Sequence, residues 1–259
     1  MPAELGDLKM GLPTLWGFLL VLARVSGVFA LVPLPGLQAA PRLARIVLSV
    51  MITVALYPLW PRIDAARADT PRLLLWVLPE AAVGVTVGLG VALILEVFLM
   101  GAQILSLNAG FSFAQTIDPT TQAESGVLLV FGQLAGGMVF LALGLDREVI
   151  RTLAYSLEAH PAGSWITQPA AEAILRLGGD MLALAVRLAL PAIALLVLVD
   201  VALGLLGRLN AQLQLLTLAF PIKMTAALVL LGWITVLLPR LLAPFGAAVF
   251  GTLRQALRF

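Results

Sequence analysis

Long apolar runs separated by short polar connectors set the pattern of this chain. Leu12 to Leu34 is long enough to cross a bilayer core and holds one charge, Arg24. Pro33-Leu-Pro-Gly36 closes it, and beyond the connector Gln38 to Arg45 a 15-residue run, Ile46 to Trp60, predicts a second, marginal span. Pro61 to Arg72, with two prolines, three arginines and two aspartates, reads as a solvated loop. Leu73 to Leu107 is 35 residues with only Glu80 and Glu96 charged. As one helix it would reach about 52 Å at about 1.5 Å per residue, against a hydrocarbon core of about 30 Å, so it must tilt, break or project. Val127 to Leu145, Met181 to Leu206 and Leu215 to Leu242 complete about six long hydrophobic helices. Gly144 to Asp180 reads as a long connection, and Ala243 to Phe259 as a short amphipathic tail.

Between the third and fourth runs lies Gly110-Phe-Ser-Phe-Ala-Gln-Thr-Ile-Asp-Pro-Thr-Thr-Gln-Ala-Glu-Ser-Gly126. Asp118-Pro119 forces residue 118 away from helical geometry and sets a turn. Irregular backbone cannot lie exposed in lipid, because its N–H and C=O groups would lack partners. The stretch therefore sits in water, inside protein or along a water-filled cavity, and the last makes it a candidate gate.

Composition narrows the class. Of 259 residues 61% are hydrophobic and 12% charged, and the mean hydropathy is +1.05, which predicts an all-α, polytopic membrane protein. A net charge of +2 with no basic run argues against nucleic acid, and the absence of cysteine removes disulfides and thiolate chemistry. The start Met1-Pro-Ala-Glu-Leu-Gly-Asp7 carries acids before any base, so the first apolar segment is expected to be retained. On six helices, ten basic residues (Lys9, Arg62, Arg67, Arg72, Arg147, Arg151, Arg176, Arg240, Arg254, Arg258) face three (Arg42, Arg45, Arg208). The imbalance predicts both termini in the cytoplasm, with the central stretch on the far side.

Arg24, Glu80, Glu96, Arg187, Asp200 and Lys223 interrupt runs that otherwise suit lipid. Each costs about 2.5–3.5 kcal/mol at mid-bilayer unless it is paired, snorkels or faces water. Arg24, Arg187 and Lys223 lie near segment ends, where snorkelling is available. Glu96 and Asp200 lie deeper and favour contacts between helices or subunits. Gly84-x3-Gly88 and Gly132-x3-Gly136 permit close helix crossing. Catalytic and cofactor chemistry finds no support. The only histidine, His160, stands in the polar connection, Leu177-Gly-Gly-Asp180 lacks the spacing of a membrane aspartyl protease, and no phosphate loop, dinucleotide glycine pattern or metal-ligand cluster occurs.

Several motifs resemble the family of the flagellar biosynthesis protein FliR and its virulence type III secretion counterpart SctT. They are Arg24-Val-Ser-Gly-Val-Phe-Ala-Leu-Val-Pro33, Pro41-Arg-Leu-Ala-Arg45, Leu56-Tyr-Pro58 and Gly101-Ala-Gln-Ile-Leu-Ser-Leu-Asn-Ala-Gly110 with Phe113-Ala and Asp118-Pro119. Asp146 to Gly163, with its arginines, Ser156 and Pro161, Asn210-Ala-Gln-Leu and Phe220-Pro-Ile-Lys223 follow in the family's order. Ala211 and Gly126 depart from it, where the family often has proline. The ending at Phe259 argues against fusion to a cytoplasmic switch protein.

The resemblance implies one export-gate domain over 1–259. A first helical half, 1–145, would carry a plug loop at 110–126, followed by a connecting region, 146–180, and a C-terminal hairpin with its tail, 181–259. It implies tilted hairpins in a helical hetero-oligomeric pore, with FliP-like and FliQ-like subunits, FlhB-like and FlhA-like export proteins and a translocated unfolded polypeptide as partners. The place implied is the bacterial inner membrane at the flagellar basal body, with no cofactor and no metal. In that reading Phe111, Phe113, Ile117, Asp118 and Pro119 form the pore plug, with Ser112, Thr116, Thr120 and Thr121 satisfying backbone groups and Gly110 and Gly126 as hinges. Arg24, Glu96, Asp200 and Lys223 make polar contacts between subunits, and Gly84, Gly88, Gly132 and Gly136 pack helices. Without the resemblance the central stretch is an ordinary turn. Two rival classes stay open: a stand-alone secondary transporter or ion channel coupled through Glu80, Glu96, Asp200 and Lys223, and a passive assembly scaffold.

Overall fold

The structure, a computed structural model, describes residues 12–32, 42–61, 70–111, 127–159, 162–163, 168–209 and 215–257. These form seven α-helices and no strand: α1 Leu12–Leu31, α2 Arg42–Ala55, α3 Thr70–Ala109, α4 Val127–Ala142, α5 Leu145–Ala159, α6 Gln168–Leu209 and α7 Leu215–Ala256, with a 3-10 turn at Tyr57–Leu59. Four of them, α1, α3, α6 and α7, are long and apolar enough to cross a membrane, or five if α4 and α5 make one broken span.

Three differences from the sequence reading have local causes. The second run is a helix of only 14 residues, Arg42–Ala55, about 21 Å at about 1.5 Å per residue. It is shorter than an undeformed core, so the basic-residue tally, which counted it as an ordinary span, rests on a marginal element. The supposed connection from 144 to 180 is largely helical. Gly144 takes φ +67 and separates α4 from α5, and α5 then buries Leu145, Val149, Leu153 and Ser156 at four-, four- and three-residue steps. The C-terminal tail continues α7 to Ala256 through Pro221, Pro239 and Pro244. Proline costs a helix one backbone hydrogen bond, a loss that packed or membrane-embedded helices tolerate; separately, Thr225 Oγ1 makes the usual back-bond of a helical threonine, donating to the carbonyl of Pro221 at 2.7 Å.

The third run is one unbroken helix of 40 residues, α3, with Pro79 inside it; at about 1.5 Å per residue it is about 60 Å long. It is apolar on every side, and two of its polar side chains bond to the helix's own backbone. Thr86 Oγ1 donates to the carbonyl of Ala82 and Asn108 Nδ2 to that of Ile104.

The chain groups into two compact units that interleave along the sequence. The first takes Met1–Ala92, Asp146–Leu175 and Ala248–Phe259, the second Leu93–Leu145 and Arg176–Ala247. In the first, α1 and α3 run in the same direction, since a Cβ on Gly84 would strike the carbonyl of Arg24 and one on Gly88 that of Val28. Helix α2 runs back along α1, with Arg45 near Ala30 and the ring of Trp60 packed at a tilt against Phe18. In the second, Gly132 of α4 meets Ala102 and Gly136 meets Phe98, so α3 and α4 are antiparallel, while Gly101 faces Ala185 and Leu188 of α6.

Candidate functional site

Two constellations of charge lie within apolar helices, one in each unit. In the first unit the glycines of α1 and α3 remove the side chains that would hold the backbones apart, and the close crossing brings Arg24 to Glu80. Their side chains are 2% and 3% exposed, with Nε 2.6 Å from Oε2. Glu80 shares a face with Gly84 and Gly88 one and two turns on. Its other oxygen, Oε1, accepts the N–H of Gly163 at 3.0 Å. The arginine also donates through an Nη to the backbone carbonyl of Ser156 and, at 3.2 Å, to its Oγ. That hydroxyl in turn donates to the carbonyl of Leu153 at 2.7 Å.

One buried ion pair therefore ties α1, α3, α5 and the turn at Gly163 together. Gly163 has no alternative there: its φ is +82, and a Cβ would lie 2.5 Å from the ring of Trp76. Desolvating two charges is expensive, and the geometry offsets it by giving both carboxylate oxygens and the guanidinium a partner. Arg24, expected to snorkel or to meet another subunit, has Glu80 of its own chain beside it, because the glycine-lined crossing brings the two helices together.

In the second unit the antiparallel α6 and α7 present Asp200 and Lys223 to each other. Lys223 Nζ lies 2.9 Å from the Asp200 carboxylate, whose side chain is 51% exposed, against 17% for the lysine. This pair also lies within one chain. Its surroundings are unlike those of Arg24: Val197, Leu198, Val201 and Ile222 around it are exposed. A shallow cavity of about 560 Å³ lined by Leu195, Pro221, Ile222 and Val229 opens on the same hairpin. Only 28% of the apolar window of α6, and 28% of that of α7, is buried by the chain itself, against 61% for α3. Glu96 is half-buried and makes no ion pair with another described residue; Arg187 is exposed.

Helix α3 ends at the entry to the central stretch. Gly110, at φ +86, donates its N–H to the carbonyl of Leu107 at 3.3 Å, and Phe111 donates to that of Ser106 at 3.2 Å. These two bonds are the glycine cap that satisfies a helix's last carbonyls and turns the chain aside. Phe111 is half-buried just past it. Phe113, Ile117, Asp118, Pro119 and Gly126 lie outside the described residues.

Among the described residues no group of three or more histidine, cysteine, aspartate or glutamate side chains could hold a metal ion. Ser156, Gly163 and Trp76, which complete the buried node, escaped the physical reading of the sequence. The available signal was the run Glu80-x3-Gly84-x3-Gly88, which puts a carboxylate on the face that the glycines open.

Residues 15–247 match the sequence model of a family described as bacterial export proteins, family 1. The chain is similar to the flagellar biosynthetic protein FliR of Pectobacterium carotovorum subsp. carotovorum, 29% identical over 237 residues, covering 91% of this chain and 87% of that one. The FliR of Escherichia coli K12 is 28% identical over 236 residues, with the same coverage of each. That of Bacillus subtilis 168 is 26% identical over 220 residues, covering 83% and 84%.

Proposed function

The chain belongs to the bacterial export proteins, family 1, and from that premise we propose that it is a subunit of the flagellar export gate in the bacterial inner membrane. There it builds the protein-conducting pore with small hydrophobic subunits of the FliP and FliQ kind. It is a multi-pass membrane component of an export apparatus, not an enzyme.

The observation that carries the gate reading is the α6–α7 hairpin. Most of its apolar surface is uncovered by its own chain, yet an ion pair stands in that surface. Lipid alone would penalise the charges, whereas neighbouring protein can cover the apolar stripe and receive the pair. Glu80 is a poor candidate for solute coupling, because both its oxygens are already engaged by Arg24 and Gly163. That weighs against the solitary transporter.

The segment beyond Gly110 is read as the plug. The cap at Gly110 ends α3 and turns the chain aside, as the start of a pore-closing loop would require, and glycines at 110 and 126 would let such a loop swing with little backbone cost. Phe111, Phe113 and Ile117 would fill a narrow lumen, and the hydroxyls of the stretch would serve its backbone.

Two measurements test this. Affinity purification of the full chain from membranes is expected to bring down small hydrophobic export subunits; a monodisperse single chain that moves solute by itself would refute the gate. Deleting residues 111–124 is expected to make vesicles carrying the assembled complex leaky to small solutes. Normal assembly with unchanged permeability would remove the plug while leaving the gate.

A further inference from the structure

Helix α2 is built inside out for water. Leu43, Ile46, Val47, Met51 and Val54 recur at helical spacing on one face and are each more than half exposed. The hydroxyls of Ser49 and Thr53 are instead buried and donate to the carbonyls of Arg45 and Ser49. No charge follows Arg45 before Arg62. Such a surface is at home against hydrocarbon or a protein partner, not against water.

The two ends of the helix decide between these. Past its C-terminus, Tyr57 and Trp60 pack edge to face with centroids 5.0 Å apart, Trp60 lies on Phe18, and its indole N–H donates to the carbonyl of Thr53 at 2.9 Å. Exposed tyrosine beside tryptophan is the pairing that settles among lipid headgroups. At the other end Arg45 borders a cavity of about 370 Å³ between α1 and α2, walled by Leu22, Phe29, Ala30, Ile46 and Val50. The serine hydroxyls in its wall are spent on the chain, Ser26 on the carbonyl of Ala23 and Ser49 on that of Arg45. An apolar slot bordered by a guanidinium fits an acyl chain below a phosphate. Arg45 has a partner within the chain, and a guanidinium carries five N–H donors, more than one partner uses.

We propose that the α1–α2 face is a docking site for an anionic phospholipid, with an acyl chain in the slot, the phosphate on Arg45 and the outer stripe of α2 against further lipid. At about 21 Å the helix is shorter than a bilayer core of about 30 Å, so the membrane thins beside it and the arginine reaches outward to the headgroup. The inference requires only that the chain sit in a bilayer and does not depend on its role in export.

The chain has no cysteine, so Val47→Cys and Met51→Cys each give one spin-label site in it, with the unsubstituted preparation carried through labelling as the background. The full chain, purified with the subunits that accompany it, is placed in vesicles of phosphatidylcholine and phosphatidylglycerol. Both labels are expected to collide readily with oxygen and scarcely with a water-soluble nickel chelate. Labels shielded from both probes would assign the face to a protein neighbour, and labels open to nickel would put it in water; either result overturns the proposal. For the headgroup, native mass spectrometry is expected to show about five-fold weaker phosphatidylglycerol retention in Arg45→Gln, with retention largely kept in Arg45→Lys. Unchanged retention in Arg45→Gln, or equal loss in Arg45→Lys, would remove Arg45 from the site.

Discussion

The two units solve one problem in opposite ways. Each carries an acid and a base in helices that are otherwise apolar. In the first, Arg24 and Glu80 are sealed from solvent, with Ser156 and Gly163 completing their hydrogen bonds. In the second, Asp200 and Lys223 face each other on an open surface flanked by bare leucine and valine. The difference lies in what stands between the helices. Glycine at 27, 84 and 88 brings backbone against backbone in the first unit, whereas a Cβ on Gly204 or Gly232 in the second would meet nothing within 4 Å. A charge enclosed by its own chain supports the fold; a charge left at the surface is available to a neighbour.

The largest expected effect breaks the enclosed pair. Glu80→Ala leaves a buried guanidinium uncompensated and is expected to cost about 3–5 kcal/mol, read as a loss of membrane-resident protein and of thermal stability. Arg24→Met combined with Glu80→Met is expected to recover most of it, since the desolvation penalty disappears with the charges. If Glu80→Ala proves harmless, the first unit is not held by this node.

Next in size, Gly84→Ala sets a methyl group against the Arg24 carbonyl and is expected to cost about 1–3 kcal/mol through overpacking. The same change at Gly232, where there is room, is expected to stabilise α7 by about 1 kcal/mol through helix propensity alone. Thermal unfolding of the purified chain separates the two. Should Gly232→Ala leave the chain stable and yet abolish recovery of accompanying subunits, Gly232 lies in an interface.

Smallest in stability, Asp200→Asn removes a charge that its own chain does not enclose and is expected to change the unfolding midpoint less than either change above. Its effect is expected instead in the amount of partner subunit that co-purifies. An equal loss of chain stability and of assembly would erase the contrast between the units.

Much of the fold was readable because helix formation in an apolar chain is local. The runs that became α1, α3, α6 and α7 show in hydropathy alone, and Gly110 already marked the end of α3. Helix α5 was not read, because its charged residues, from Asp146 to Glu158, masked the spacing of Leu145, Val149 and Leu153. The continuity of α7 was hidden by Pro239 and Pro244, which usually end helices in water but are tolerated inside long membrane helices.

The sequence by itself determined that this is a helical membrane protein with charges in the wrong solvent and glycines at crossing intervals, since composition and helical period require no knowledge of neighbours. Only the tertiary structure decided which charge belongs to which. Arg24 and Glu80 are 56 residues apart in sequence, and their pairing follows from two helices crossing in parallel at Gly27, Gly84 and Gly88. Likewise the burial of α3 and the bareness of α6 and α7 are set by which surfaces the rest of the chain covers. Hydropathy cannot reveal that, because it scores a leucine alike whether it faces its own core, lipid or another subunit.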